Sequence, residues 1–155
     1  APIHHRDMTI ANEALFNDNL YIEIISDLKH VHPKMLNLVR KLKPKHKIIF
    51  ISDALPCAYS KNNIFYMNNV KIDTSTGLAL SEDGTIAGNN KFSCDNIKQI
   101  LKETDFTFEE IISSLSINCA KNLNIENKFE FKLDNSLDFI IWDKKTLDIE
   151  KIFIS

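Results

Sequence analysis

A parallel α/β fold is predicted by three neighbouring segments. Residues 19–33, NLYIEIISDLKHVHP, open with an apolar, Ile-rich run that reads as a strand. Residues 33–44, PKMLNLVRKLKP, then place Met35, Leu38, Val39 and Leu42 at helical spacing, and Pro44 closes the helix because its ring disfavours a helical conformation at Lys43. Residues 47–55, KIIFISDAL, contain the unbroken apolar run Ile48 to Ile51 expected of a strand covered on both faces. Strand, helix and strand within residues 19–55 make the size of one βαβ unit, which implies parallel strands joined by a right-handed crossover.

The following segment changes character. Residues 63–88 hold short strand-like pieces broken at Asn68-Asn69 and Asp83-Gly84, the latter a hairpin signal, so a β-hairpin excursion is expected. Two helices are expected between 93 and 124. The first, SCDNIKQILKET, has Ser93 as its N-cap; the second, TFEEIISSLSINCAKNLN, has Thr107 as N-cap and Glu110 three residues on, a capping box. The remainder, 129–155, alternates apolar runs with Asp-Asn and Lys-Lys turns and reads as three short strands.

Composition excludes several functions. With 155 residues, 44% hydrophobic and 26% charged, the chain can bury a sizeable core. A net charge of −2 gives no field that would recruit nucleic acid or an acidic membrane surface, and no stretch approaches a membrane span. Cys57, Cys94 and Cys119 are odd in number and far apart, so neither a disulfide framework nor a thiolate zinc site is indicated, and a reducing, cytoplasmic setting is expected. The start, APIHHRD, has no initiator Met and no apolar signal-peptide core, which fits a processed chain or a fragment.

All five His precede Asp53, as His4-His5, His30-x-His32 and His46. In parallel α/β folds function gathers at the C-terminal ends of strands, where both HVHP and SDA fall. His30 and His32, two apart on a strand, would face one way and form a metal pair, although a lone His-x-His is more often merely polar. His46 sits in a Lys-rich turn and reads as solvated, and His4-His5 as surface. Asp53, ending an apolar strand, is either a catalytic carboxylate or the N-cap of a following helix.

The joint order PIHHRD, IISDLKHVHP, ISDA, DGTIAG, SINCAKNL, LDFIIWD and IEKIFI resembles the N-acetylglucosamine-6-phosphate deacetylases, a family of the amidohydrolase superfamily, along nearly the whole chain. The resemblance implies the C-terminal part of a (β/α)₈ metal-dependent hydrolase barrel over residues 1–124, comprising the last two strands, the hairpin excursion and closing helices. Residues 125–155 would then be strands of a small β-sandwich domain. It implies that Asp53 ends the eighth barrel strand, takes a proton from the metal-activated water and passes it to the departing amine. His30 would contact substrate from strand seven and stabilise charge on the acetyl oxygen, and Arg6 would reach the sugar phosphate from the neighbouring subunit of a homodimer. The family's divalent-metal ligands lie in strands that precede this chain, so no metal ligand is assigned within it. DLKHVHP also looks like the Asp-x-His-x-His of a first barrel strand, but no His follows Asp53 to complete such a site, which favours strand seven.

Some family positions differ. Arg-Glu-Pro-Gly becomes Arg6-Asp7-Met8-Thr9, Ala-Asp-Gly becomes Ser26-Asp27-Leu28, Ala-Gly-Ser becomes Ala87-Gly88-Asn89, and Gly gives way to Phe129 and Asp134. Where such a Gly held a positive φ, a side chain costs on the order of 1 kcal/mol. Two readings therefore stand: hydrolysis of the N-acetyl amide of N-acetylglucosamine 6-phosphate, as the C-terminal part of the enzyme, or a non-catalytic remnant or split-gene module. Within the enzyme class the runner-up is an amidohydrolase acting on a cyclic amide. Nucleic-acid and membrane partners are not expected, and the chain alone is expected to be inactive and prone to self-association through unpaired edges.

Overall fold

Ile22–Ile25 (β1) and Ile48–Ile51 (β2) pair in parallel, with Ile22 opposite Ile48 and Ile25 opposite Ile51. Helix Pro33–Leu42 (α2) connects them, so the predicted βαβ unit is present. The computed structural model describes residues 2–126 and 138–154. β2 buries Ile48, Ile49 and Phe50, as its continuous apolar run requires.

α2 turns a different face inward from the one its apolar spacing predicts. Leu36 and Val39 are buried, whereas Leu38 and Leu42 are 38% and 41% exposed. The inward set, Leu36, Val39, Arg40 and Lys43, keeps helical spacing, but two of its members are cations with dedicated partners. The Lys43 ammonium, only 2% of the residue being exposed, donates to the carbonyls of Ala14 and Asn17. Burial lowers its pKa, and the three donors of a lysine suit such end carbonyls. Arg40 makes a two-pronged pair with Glu110, at 2.7 and 3.0 Å.

Lys43 thereby closes the end of helix Ile10–Phe16 (α1), an element that the sequence patterns do not predict. Thr9 is its N-cap, accepting from the Asn12 amide.

The excursion proves to be a four-stranded antiparallel meander: Ile64–Met67 (β3), Val70–Asp73 (β4), Ala79–Ser81 (β5) and Ile86–Gly88 (β6). Asn68 and Asn69, with φ of 50° and 64°, make the β3–β4 turn, the two left-handed residues of a primed hairpin turn. Gly84, φ 81°, does the same service between β5 and β6. β6 then joins the chain after β2 through a parallel bridge of Ala54 with Asn89.

Ser93 is no helix cap; it opens a 3₁₀ turn, Ser93–Asn96, in which Asp95 accepts from the Phe92 amide, and Ile97–Glu103 (α3) follows. The second expected helix keeps its capping box, with Thr107 and Glu110 exchanging hydrogen bonds of 2.9 and 3.2 Å. It is two helices, however, Phe108–Leu115 (α4) and Ile117–Asn122 (α5). The break falls at Ser116, φ −135° and ψ −78°, whose hydroxyl donates back to the Ile112 carbonyl at 2.6 Å, a local bond that competes with the helix ladder.

The core joins Ile24, Ile48 and Phe50 to Leu36 and Val39 of α2 and to Ile97, Ile100, Phe106 and Ile111. Phe50 and Phe106 meet at a centroid distance of 5.1 Å. Towards the C-terminus Phe139–Trp142 (β7) and Ile149–Phe153 (β8) form an antiparallel hairpin. These are two of the three strands expected in 129–155; the first lies outside the described residues, as do Phe129 and Asp134.

Candidate functional site

The turns after β1 and β2 carry the residues expected to act, Asp53 and His30, and the parallel register puts them at one end of the pair. Ser26 continues the ladder, its amide donating to the Ile51 carbonyl, so Asp27 and Asp53 each stand two residues beyond paired strand ends.

Asp53 holds φ at 51°, a left-handed conformation that Asp tolerates better than most residues. Neighbouring backbone keeps it there. The Asp53 carbonyl accepts from the Asn89 amide at 2.9 Å, and Asn89 accepts in turn from the Leu55 amide at 2.8 Å. Gly88 permits this approach, since a Cβ there would meet the Asp53 carbonyl oxygen and the Leu55 side chain at 2.9 Å. The residue is exposed, and its carboxylate makes no hydrogen bond or ion pair with another described residue. No helix starts behind it; the chain turns through residues 56–59 towards β3, which removes the helix-cap reading.

Asp27 is the residue that sequence reasoning missed. Its side chain is 4% exposed and wraps the turn that follows β1. Oδ1 accepts from the amides of Lys29 and His30, both at 2.9 Å, while Oδ2 lies 2.8 Å from Nδ1 of His30. Burial raises the carboxyl pKa, but the two amides and the His30 ring outweigh it and hold the group below its ordinary range. Leu28, φ 59°, supplies the left-handed step of this turn. The Asp-x-x-His spacing was the available signal, because an Asp side chain reaches backbone amides two and three residues on.

His30 and His32 do not share a strand face. His30 is held by Asp27 and half-buried, whereas His32 is exposed and caps α2, its Nδ1 accepting from the Lys34 amide at 3.2 Å. Nδ1 of His4 accepts from the Arg6 and Asp7 amides, and exposed His46 lies in the 3₁₀ turn before β2. Among the described residues no group of three or more His, Cys, Asp or Glu could hold a metal ion.

Arg6 is exposed on the bend before α1. That bend is fixed by Asn12, which accepts from the His4 amide at 3.0 Å and donates to the His4 carbonyl at 3.1 Å. Lys29, by contrast, ties the meander to the site: its ammonium donates to the Gly77 carbonyl in the β4–β5 turn at 3.0 Å. Among the described residues no helix is long and apolar enough to cross a membrane.

No family model matches the chain. A curated relative from Lysinibacillus sphaericus, N-acetylglucosamine-6-phosphate deacetylase, is 25% identical over 146 residues, 94% of this chain and 38% of its own length. N-acetylgalactosamine-6-phosphate deacetylase of Escherichia coli O157:H7 is 23% identical over 80% of this chain and 33% of its own. The crystal structure of N-acetylglucosamine-6-phosphate deacetylase from Thermotoga maritima superposes with a TM-score of 0.88 at 25% identity, over 99% of this chain and 42% of that one. The chain thus spans about a third to two fifths of the length of these three proteins, and what it resembles in both sequence and α/β backbone is the C-terminal portion of N-acetylglucosamine-6-phosphate deacetylase.

Proposed function

We propose that this chain supplies the proton-transfer carboxylate and a substrate-contacting imidazole for hydrolysis of the N-acetyl amide of a hexosamine 6-phosphate, as the C-terminal part of the hydrolase. The observation that carries this is Asp53: an exposed carboxylate, pinned in a left-handed conformation at the end of a buried strand and capping nothing. Non-glycine residues are held in such conformations where the surrounding structure over-determines them, which is common at active sites.

Residues 1–124 then form the last two strands, the meander and the closing helices of a (β/α)₈ barrel, and 125–155 contribute to a small β-sandwich. Asp53 accepts a proton from the attacking water and returns it to the leaving amine. His30, its Nδ1 engaged by Asp27, offers Nε2 to the acetyl oxygen, and the ring carrying a proton on both nitrogens is the donor that developing charge needs there. Arg6 pairs with the sugar phosphate of the neighbouring subunit in a homodimer, a task for which its planar fork is suited. The described residues do not fit a divalent metal site, so in this reading the ligands come from outside the chain and no step here passes through them. The setting is cytoplasmic.

One observation favours the second reading, a non-catalytic remnant. Leu28 occupies a left-handed position that the resembled family fills with Gly, the kind of strain that accumulates when selection relaxes.

Acetate release from N-acetylglucosamine 6-phosphate and its galacto epimer, measured on the full-length protein, decides between them. Asp53→Asn is expected to keep the fold, because Asn tolerates the same φ, and to lower kcat by roughly 10² to 10⁴-fold. Unchanged turnover in that variant, or no turnover of either sugar by the wild type, would defeat the proposal.

A further inference from the structure

We infer that Asp27 is a positioning residue: it fixes His30 in the tautomer that carries its proton on Nδ1, which leaves Nε2 for a partner in the turn after β1, at the end of the parallel pair that also carries Asp53. This goes beyond the proposed function and rests on it only for the identity of what Nε2 meets.

Three observations carry it. The Asp27 carboxylate is buried, and each oxygen has a separate duty: Oδ1 accepts from two backbone amides, and Oδ2 faces Nδ1 of His30 at 2.8 Å. A carboxylate with two amide donors stays ionised and is an acceptor only, so the ring nitrogen opposite it must be the donor. Nδ1–H therefore donates to Oδ2, and in the neutral ring Nε2 is left with its lone pair, while a protonated ring donates from Nε2 as well.

The turn geometry is compatible with this whichever residue occupies position 28. Leu28 takes φ 59° to bring the Lys29 and His30 amides onto Oδ1, and the Lys29 ammonium anchors the outside of the turn to the Gly77 carbonyl. His30 is thus held by its backbone and its ring at once, and losing either contact removes one of the three hydrogen bonds that compensate the buried carboxylate. A carboxylate that only stapled the turn would need the amide contacts alone.

The test uses full-length protein labelled with ¹⁵N-histidine, the His30 ring being identified by its loss in His30→Gln. Two-bond proton–nitrogen correlations above pH 8 are expected to show the wild-type ring with Nδ1 protonated and Nε2 bare. Asp27→Ala is expected to convert it mainly to the Nε2–H form that free imidazole side chains favour. Asp27→Asn controls for folding, since its carbonyl oxygen can still serve the Lys29 and His30 amides while its amide group donates to Nδ1 and reverses the ring. A ring that is Nε2–H in the wild type, or unaltered in the well-folded Asn variant, would overturn the inference. With the hexosamine 6-phosphate as substrate, Asp27→Asn is expected to lower kcat by roughly 10 to 100-fold with KM little changed, because an amide group facing Nδ1 excludes the doubly protonated ring and leaves only a neutral Nε2–H donor. The tautomer is read without turnover, so an inactive protein would count against the proposed function while the spectra still decide the role of Asp27.

Discussion

At the scale of single residues, the backbone around Asp53 matters as much as its carboxylate. Gly88→Ala places a methyl group 2.9 Å from the Asp53 carbonyl oxygen at a φ of 147°, so the Asn89–Asp53 bond must lengthen. The expected cost is about 1–3 kcal/mol of stability, read as a lower urea midpoint, together with loss of turnover although no catalytic atom is altered. Arg6 makes the opposite case. Because the side chain is exposed, its removal by Arg6→Ala is expected to leave the melting temperature unchanged and raise KM for the phosphorylated sugar only. An equal loss on the unphosphorylated sugar would show that Arg6 does not bind phosphate.

At the scale of elements, α2 and α4 are riveted by Arg40 and Glu110, and the same carboxylate closes the capping box with Thr107. Burial pushes the Glu110 pKa up, but Arg40 and the Thr107 amide prevail, and the group titrates below its ordinary 4.5. A depressed carboxyl contributes stability that is whole above the unfolded-state value and lost as pH falls through the folded one. The wild type is therefore expected to lose about 1 kcal/mol more than Glu110→Gln between pH 5 and pH 3 in thermal melts. Parallel slopes would remove the pair from the stability account.

The same elements show what a sequence can reveal beforehand. β1, α2, β2 and the Thr107 cap are legible because each is signalled within a few residues, by an apolar run or a cap with its partner. The inward face of α2 is not, because apolar spacing cannot reveal that Lys43 and Arg40 find partners on α1 and α4, 26 to 70 residues away. The split at Ser116 is hidden by an apolar pattern that runs through it. Asp53 and His30 are marked by their strand-end positions, while Asp27 escapes notice because its Asp-x-x-His spacing is a local turn signal that does not by itself reveal the side-chain contact with the His30 ring.

At the scale of the molecule, the surface is unbalanced. Leu38 and Leu42 on α2, with Ile10 and Phe16 on α1, are exposed, and the only strand paired with β1 is β2 among the described residues. Apolar area of this kind is a site for association when nothing covers it. The 155-residue chain on its own is expected to sediment as concentration-dependent species larger than its 17.8 kDa monomer, and Leu38→Lys with Leu42→Lys to shift it towards the monomer without altering its circular dichroism. A wild-type monomer at all concentrations would argue that these side chains are covered from within the chain.

One feature of α1 reaches further than its seven residues. Its last carbonyls are gripped by a buried ammonium, and its first turn is stitched to the loop that carries Arg6. The helix is therefore a stiff boom about 10 Å long, footed in the interior by Lys43 and bearing a guanidinium near its free tip. A cation so mounted has already surrendered the freedom of the chain that carries it. Whatever anion it meets is met by a side chain whose backbone is tethered in advance, and loosening the foot at Lys43 would blur the tip without touching it.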